Sequence, residues 1–350
     1  MNEINGYYVC AVHPSHINGW YQSLTPLRSK LVGQFDEDEL EAGKKLYRQR
    51  LAAYKKTMPS QFLDNSHHGK ISKVARRKIS RAVDYLTHIV PKQKYFHPGT
   101  GRSGDMILNF ITLTLPSEQI HTDNEIKSDL LEPFLNTCRQ KWKVSSYIWR
   151  MEKQKNGNTH FHLITDRFIW WNELRNMWNR HCERLGYVTR YRDNQIAWHK
   201  EGYIFNPAFS PKLSNARQYH NYKEGIACDW NNPNSTDVHG LRTIIDATSY
   251  LTKYITKTDQ SDNIEGRLWG CSSNLTRIRG AEIFADGDAS DEIDKLISDP
   301  RCKFYKGDYF FVITFNNKLL YCGTFPIIRE ELETFIRGHF PEYRPPSLKL

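Results

Sequence analysis

The chain has 350 residues and a formal net charge of +10, with 39% hydrophobic and 13% aromatic residues. That balance sustains a packed core, excludes wholesale disorder and favours a polyanionic partner, with nucleic acid first. No run of 18 apolar residues is present to span a bilayer, and Met1-Asn2-Glu3-Ile4-Asn5-Gly6 lacks the charged-then-apolar pattern of a secretion signal, so no membrane association is expected. The seven cysteines are scattered and form no Cys-x-x-Cys pair, which argues against a disulfide framework or structural zinc and fits a reducing cytoplasm.

Residues 1–105 read as a mainly helical, basic extension. Leu40 to Tyr54 is helix-compatible, and Ile71 to Val90 carries apolar residues at helical spacing. The second stretch also bears Arg76, Arg77 and Lys78, which suit either a solvated basic face or a phosphate-contacting helix. Pro98 to Gly104 reads as a loop. Ile107 to Leu115 then reads as a strand stopped by Pro116, and Asp123 to Lys141 as a helix. Ser145 to Glu152 and Thr159 to Thr165 read as strands joined by the turn Asn156-Gly157-Asn158. Trp170 to Leu185 has an amphipathic stripe, residues 202–236 look like a long irregular insertion, and Val238 to Ile245 suits a strand. Asp246 to Lys257 is a helix candidate with Asp246 as N-cap. Residues 271–350 form an α/β extension, with a hairpin expected around Asn316-Asn317.

Two features carry chemistry. His160 and His162 stand two apart in the apolar run Thr159 to Thr165, so on a strand both imidazoles leave the same face. Glu152 lies eight residues earlier, where an antiparallel hairpin brings it opposite, and Gln154 has the same parity as a reserve ligand. Two imidazoles and a carboxylate suit Mn²⁺ or Zn²⁺, and Mg²⁺ if phosphate and water complete the shell. The plain alternative is a pair of surface histidines beside an apolar sheet. The spacing matches neither His-Glu-x-x-His nor the zinc deaminase pattern.

The second feature is Tyr250-Leu251-Thr252-Lys253-Tyr254-Ile255-Thr256-Lys257. On a helix, Tyr250 and Tyr254 lie one turn apart, and each is followed three residues later by Lys253 or Lys257. A phenol has a pKa of roughly 10, so a nearby cation or metal is needed to make it a nucleophile. The plain alternative is an amphipathic helix with aromatic core contacts and snorkelling lysines.

Together these motifs resemble the HUH endonuclease superfamily, and within it the two-tyrosine rolling-circle replication initiators. Phe110 to Pro116 is similar to the first motif, His160-Phe161-His162 to the second and Tyr250 to Lys257 to the third, in that order. Gly266-Arg267-Leu268-Trp269-Gly270 resembles the continuation seen in bacterial plasmid and phage initiators. The resemblance covers residues 106–270. It implies an α+β fold: a central antiparallel sheet of HUH endonuclease type carrying the metal site and flanked by helices, here with an N-terminal helical extension. It implies metal ligands Glu152, His160 and His162, a Mg²⁺ or Mn²⁺ cofactor, catalytic Tyr250, Tyr254, Lys253 and Lys257, and DNA contacts near Thr112 and Thr114. The implied activity is nicking and joining of single-stranded origin DNA through a 5′-phosphotyrosine, in the cytoplasm of a bacterial host. No Walker motif is present, so unwinding would fall to a host helicase and synthesis to a host polymerase.

Trp142, Trp149, Trp198 and Tyr219 to Tyr222 lie near basic residues and suit either base stacking or packing. Relaxases carry their tyrosine before the histidines and small transposases are much shorter; both remain alternatives, as does a non-catalytic DNA-binding replication regulator.

Overall fold

The computed structural model describes residues 6–23, 71–90, 93–97, 101–106, 108–209, 212–241, 264–276, 278–285, 287–307 and 310–345. In chain order these form β1 (Gly6–Val12), β2 (His16–Ser23), α1 (Lys73–Ile89), β3 (Gln93–His97), β4 (Arg102–Met106) and β5 (Leu108–Thr114). A helical run follows, from Asp123–Glu125 through a π-helical Ile126–Leu131 into α2 (Glu132–Lys141). Then come β6 (Tyr147–Lys153), β7 (Thr159–Thr165), α3 (Trp171–Glu183), α4 (Tyr187–Trp198), α5 (Asn215–Ala227), β8 (Thr236–Leu241) and β9 (Trp269–Cys271). The chain closes with β10 (Ala281–Phe284), α6 (Gly287–Ser298), β11 (Lys303–Lys306), β12 (Phe310–Thr314) and α7 (Pro326–His339).

The protein is α+β and divides into two compact units, Met1–His67 with Ile278–Leu350, and His68–Arg277. In the first, a five-stranded antiparallel sheet runs β10-β1-β2-β12-β11. In the second, the antiparallel order is β8-β5-β7-β6-β9, beside a separate β3-β4 hairpin. Odd and even positions of the second sheet go to different faces. Leu113, Met151, Phe161 and Leu163 are buried on one face, where Phe161 meets Trp178 of α3, and Phe134 of α2 meets the same indole. Trp178 Nε1 also donates to the Thr114 carbonyl at 2.8 Å, which fixes α3 to the end of β5.

Several expectations need correction. The described part of residues 1–105 holds one helix and four strands, so it is not mainly helical. β1 pairs with β10, and β2 with β12, so their partners lie more than 250 residues away, beyond the reach of local pattern. The span 202–236 is not irregular: α5 starts at an N-cap, Ser214, whose hydroxyl accepts from Arg217 N at 3.3 Å. Asn316-Asn317 makes no hairpin. Asn316 accepts from Lys318 N at 3.0 Å and starts a 3₁₀ turn, and the hairpin is β11–β12 instead. Leu40 to Tyr54 and Asp246 to Lys257 lie outside the described residues. No helix among the described residues is long and apolar enough to cross a membrane.

Candidate metal centre

The β6–β7 hairpin builds the site. Its turn closes through Gln154 N donating to Asn158 O at 2.7 Å and Gly157 N to Gln154 O at 2.9 Å. Gly157 has φ +86°, a left-handed conformation that glycine adopts without a Cβ penalty. Asn158 then locks the start of β7: its amide donates to Ser117 O at 2.8 Å and accepts from Gln119 N at 2.9 Å. The resulting register puts Glu152 opposite His160 and Arg150 opposite His162. On the other side, Thr114 faces His160 and Thr112 faces His162. Directly opposed residues share a face, so all six side chains leave the same one.

Their polar atoms converge. His160 Nε2 and His162 Nε2 are 3.0 Å apart, and Glu152 Oε2 lies 3.6 Å from the first and 3.3 Å from the second. Ligands bound at about 2.1 Å sit about 3.0 Å apart in an octahedral shell and about 3.4 Å apart in a tetrahedral one. The three atoms already have the spacing of one shared coordination sphere. The buried His160 Nδ1 has no hydrogen-bond partner among the described residues, so only its Nε2 is engaged. These residues fit a divalent cation, and among the described residues they are the single group of three potential ligands found.

Burial raises the Glu152 carboxyl pKa, but hydrogen bonds from His160 and His162 and the Arg150 charge outweigh it and hold the group well below the usual carboxylate range. Glu152 therefore stays anionic, as a metal ligand must. Arg150 Nη2 lies 3.1 Å from Glu152 Oε1, with both side chains nearly buried. Thr112 Oγ1 is 3.3 Å from His162 Nδ1, and Phe110 stacks on the same imidazole with centroids 5.4 Å apart. These contacts leave the His162 Nε2 facing Glu152, the outer-layer support that tunes a ligand. Arg150 was missed in the sequence, although its two-residue offset from Glu152 puts it on the same face.

The other expected residues distribute as follows. Thr114 donates its hydroxyl to Ser235 O at 2.9 Å, so it ties β5 to the start of β8. Gln154 lies past the end of β6, in the turn. On α1, Arg77 and Lys78 are exposed and Arg76 is partly covered. Tyr250, Lys253, Tyr254 and Lys257 lie outside the described residues. Their segment is bracketed by the two outer strands of the histidine sheet, β8 ending at Leu241 and β9 beginning at Trp269.

The second bracket is held firmly. Asp123 Oδ2 accepts from Glu265 N at 3.1 Å, while its Oδ1 takes Lys153 Nζ at 2.7 Å and Gln119 Nε2 at 2.8 Å. Lys127 Nζ donates to the carbonyls of Glu265 and Arg267. Burial raises the Asp123 pKa, but the Lys153 and Gln119 hydrogen bonds bring it below its ordinary value. One carboxylate thus joins the helical run, the site hairpin and the chain that follows the tyrosines.

No curated protein and no solved structure matches the chain. Residues 109–259, under half of the chain, match the model of a family of replication-associated proteins of the ORF2 type. The match takes in the whole Glu152–His160–His162 group and runs past both tyrosines. Over that stretch the chain is similar to a family of rolling-circle replication initiators.

Proposed function

We propose that the protein nicks and rejoins single-stranded origin DNA to start rolling-circle replication, through a 5′-phosphotyrosine link to Tyr250 or Tyr254. The observation that carries this reading is the meeting of two histidine Nε2 atoms and the Glu152 oxygen within 3.6 Å. Glu152, His160 and His162 would hold Mg²⁺ or Mn²⁺, which supplies Lewis-acid charge at a phosphate oxygen. The tyrosine oxygen attacks phosphorus, the phosphorus–O3′ bond breaks, and the electron pair leaves with O3′. The phenolic proton is lost to solvent and O3′ gains one, giving a free 3′-hydroxyl for a polymerase. Attack by a 3′-hydroxyl on the phosphotyrosine reverses the step and releases the phenol.

The bracketing of the tyrosine segment by both edges of the histidine sheet supports bringing it to this site. Lys253 and Lys257 would stabilise charge on the phosphate. Arg77 and Lys78, exposed on α1, would meet flanking phosphates. The catalytic part is residues 106–270, with 1–105 and 271–350 as extensions, and unwinding and synthesis come from host proteins.

The test incubates the full chain with labelled single-stranded fragments of its replicon and Mn²⁺, followed by a denaturing gel. A slow-migrating covalent adduct is expected in the wild type and absent in the Tyr250→Phe/Tyr254→Phe double variant. Binding of every fragment without cleavage or adduct would instead mark a non-catalytic regulator.

A further inference from the structure

We infer that the groove between α3, α4 and α5 is a second DNA site, which stacks and reads unpaired bases of the strand cut at the metal centre. This rests on the initiator reading for the identity of the strand. The groove encloses about 920 Å³. Trp171, Trp198 and Phe209 stand at it with half of their surface in water, at 50%, 54% and 53% exposure. Large aromatic faces left in solvent at one cavity are costly unless something covers them. Below them Trp230 stacks on His199, with centroids 5.2 Å apart and planes 7° from parallel.

The wall behind Trp230 is strained. Asp229 and Trp230 are consecutive non-glycine residues with φ +49° and +55°, a conformation costing on the order of 1–3 kcal/mol each. A Cβ on Gly225 would lie 2.1 Å from the Trp230 ring, so only glycine admits the indole there. Arg192 pins the turn through Asp229 Oδ2 at 2.6 Å.

The polar lining suits nucleobases. Asn176, Gln195 and Asn221 bring carboxamides, whose paired donor and acceptor match base edges. Arg175 and Arg217 face the groove against a single acid, Glu224, and the Arg175 guanidinium lies 4.8 Å from the Trp171 ring centre. Aromatic faces for stacking, amides for edges and a cationic excess for phosphate make up the chemistry of a single-strand site. A duplex hides the base faces that such aromatics stack on.

The groove is also continuous with the metal centre. Arg175 Nη2 donates to Asn234 Oδ1 at 2.6 Å, and the next residue, Ser235, accepts both the amide and the hydroxyl of Thr114. Thr114 is opposite His160. Two strand spacings, roughly 10 Å, separate the β8 edge from the histidine strand. A strand cut at the metal centre thus has its neighbouring nucleotides within reach of the groove.

The test measures fluorescence anisotropy of a fluorescein-labelled, mixed-sequence 20-nucleotide single strand against the full chain in EDTA, so that cleavage does not interfere. The same strand annealed to its complement is measured in parallel. Trp171→Ala/Trp198→Ala is expected to weaken single-strand binding at least 10-fold and leave duplex binding unchanged. Trp171→Phe/Trp198→Phe should restore most of the affinity, because stacking survives. Both tryptophans are half exposed, so both variants should keep the wild-type melting temperature. Equal single-strand affinity in the alanine variant, an equal loss on duplex, or no recovery in the folded phenylalanine variant would overturn the inference. The denaturing-gel assay separates the two readings. Normal adducts with tryptophan-independent binding break the groove alone, and tryptophan-dependent binding without adducts breaks the nickase reading alone.

Discussion

His13 and His16 face each other across the β1–β2 turn with ring centroids 4.3 Å apart, and His160 and His162 stand 4.7 Å apart on β7. By distance the pairs are alike. The first pair stacks with planes 16° from parallel, so the in-plane lone pairs run side by side. The second stands at 82°, with two Nε2 atoms and a carboxylate oxygen aimed at one point. The β1–β2 turn stacks its histidines as packing, with Gly280 so close that a Cβ there would lie 2.7 Å from His13 Cε1. Proximity of histidines is common; convergence with a carboxylate held anionic by Arg150 is what makes chemistry.

That contrast is broken most sharply by truncating both pairs. His162→Ala should lower nicking at least about 100-fold, more than the loss typical of outer-layer contacts, while His13→Ala leaves it unchanged; gel assays of initial rate decide it. Next in size is the anchor beside the working pair. Gly266 has φ +66°, and a Cβ there would lie 2.4 Å from Asn124 Oδ1. Gly266→Ala should therefore cost about 2–3 kcal/mol in a thermal melt.

A third kind of histidine sharpens the comparison. His88 on α1 is buried, and burial lowers its pKa to about 4. The unfolded chain then binds a proton that the folded chain refuses. Stability is full above about pH 6.5 and drains as pH falls towards 4, by on the order of 2 kcal/mol between pH 7 and 5. Urea midpoints should show this loss in the wild type and a flatter profile in His88→Leu. The smallest effect is expected at Thr112. Thr112→Val removes the 3.3 Å contact to His162 Nδ1 and should weaken Mn²⁺ binding roughly 10-fold by calorimetry.

The site was largely legible in the sequence because its parts are local. The eight-residue gap between Glu152 and His160, centred on Asn156-Gly157, sets the register by turn geometry alone. The other parts were hidden for physical reasons. Arg150 and Thr112 reach the imidazole only once the strands pair. α5 was concealed by an Asn- and Tyr-rich composition that weakens its helical signal, so the groove it walls could not be foreseen. β1 and β2 depend on strands near residues 281 and 310, which no short window contains.

The central claim, that this metal centre serves a tyrosine nucleophile, is tested most directly by mass spectrometry of the protein–DNA adduct after nuclease trimming. Trypsin cuts after Arg242, Lys253 and Lys257, so Tyr250 leaves in residues 243–253 and Tyr254 in residues 254–257. A nucleotide mass on one of these two peptides, present with Mn²⁺ and absent in His162→Ala, is the predicted result. Cleaved DNA bearing a free 5′-phosphate with no modified tyrosine, or an adduct on a peptide elsewhere in the chain, would contradict it.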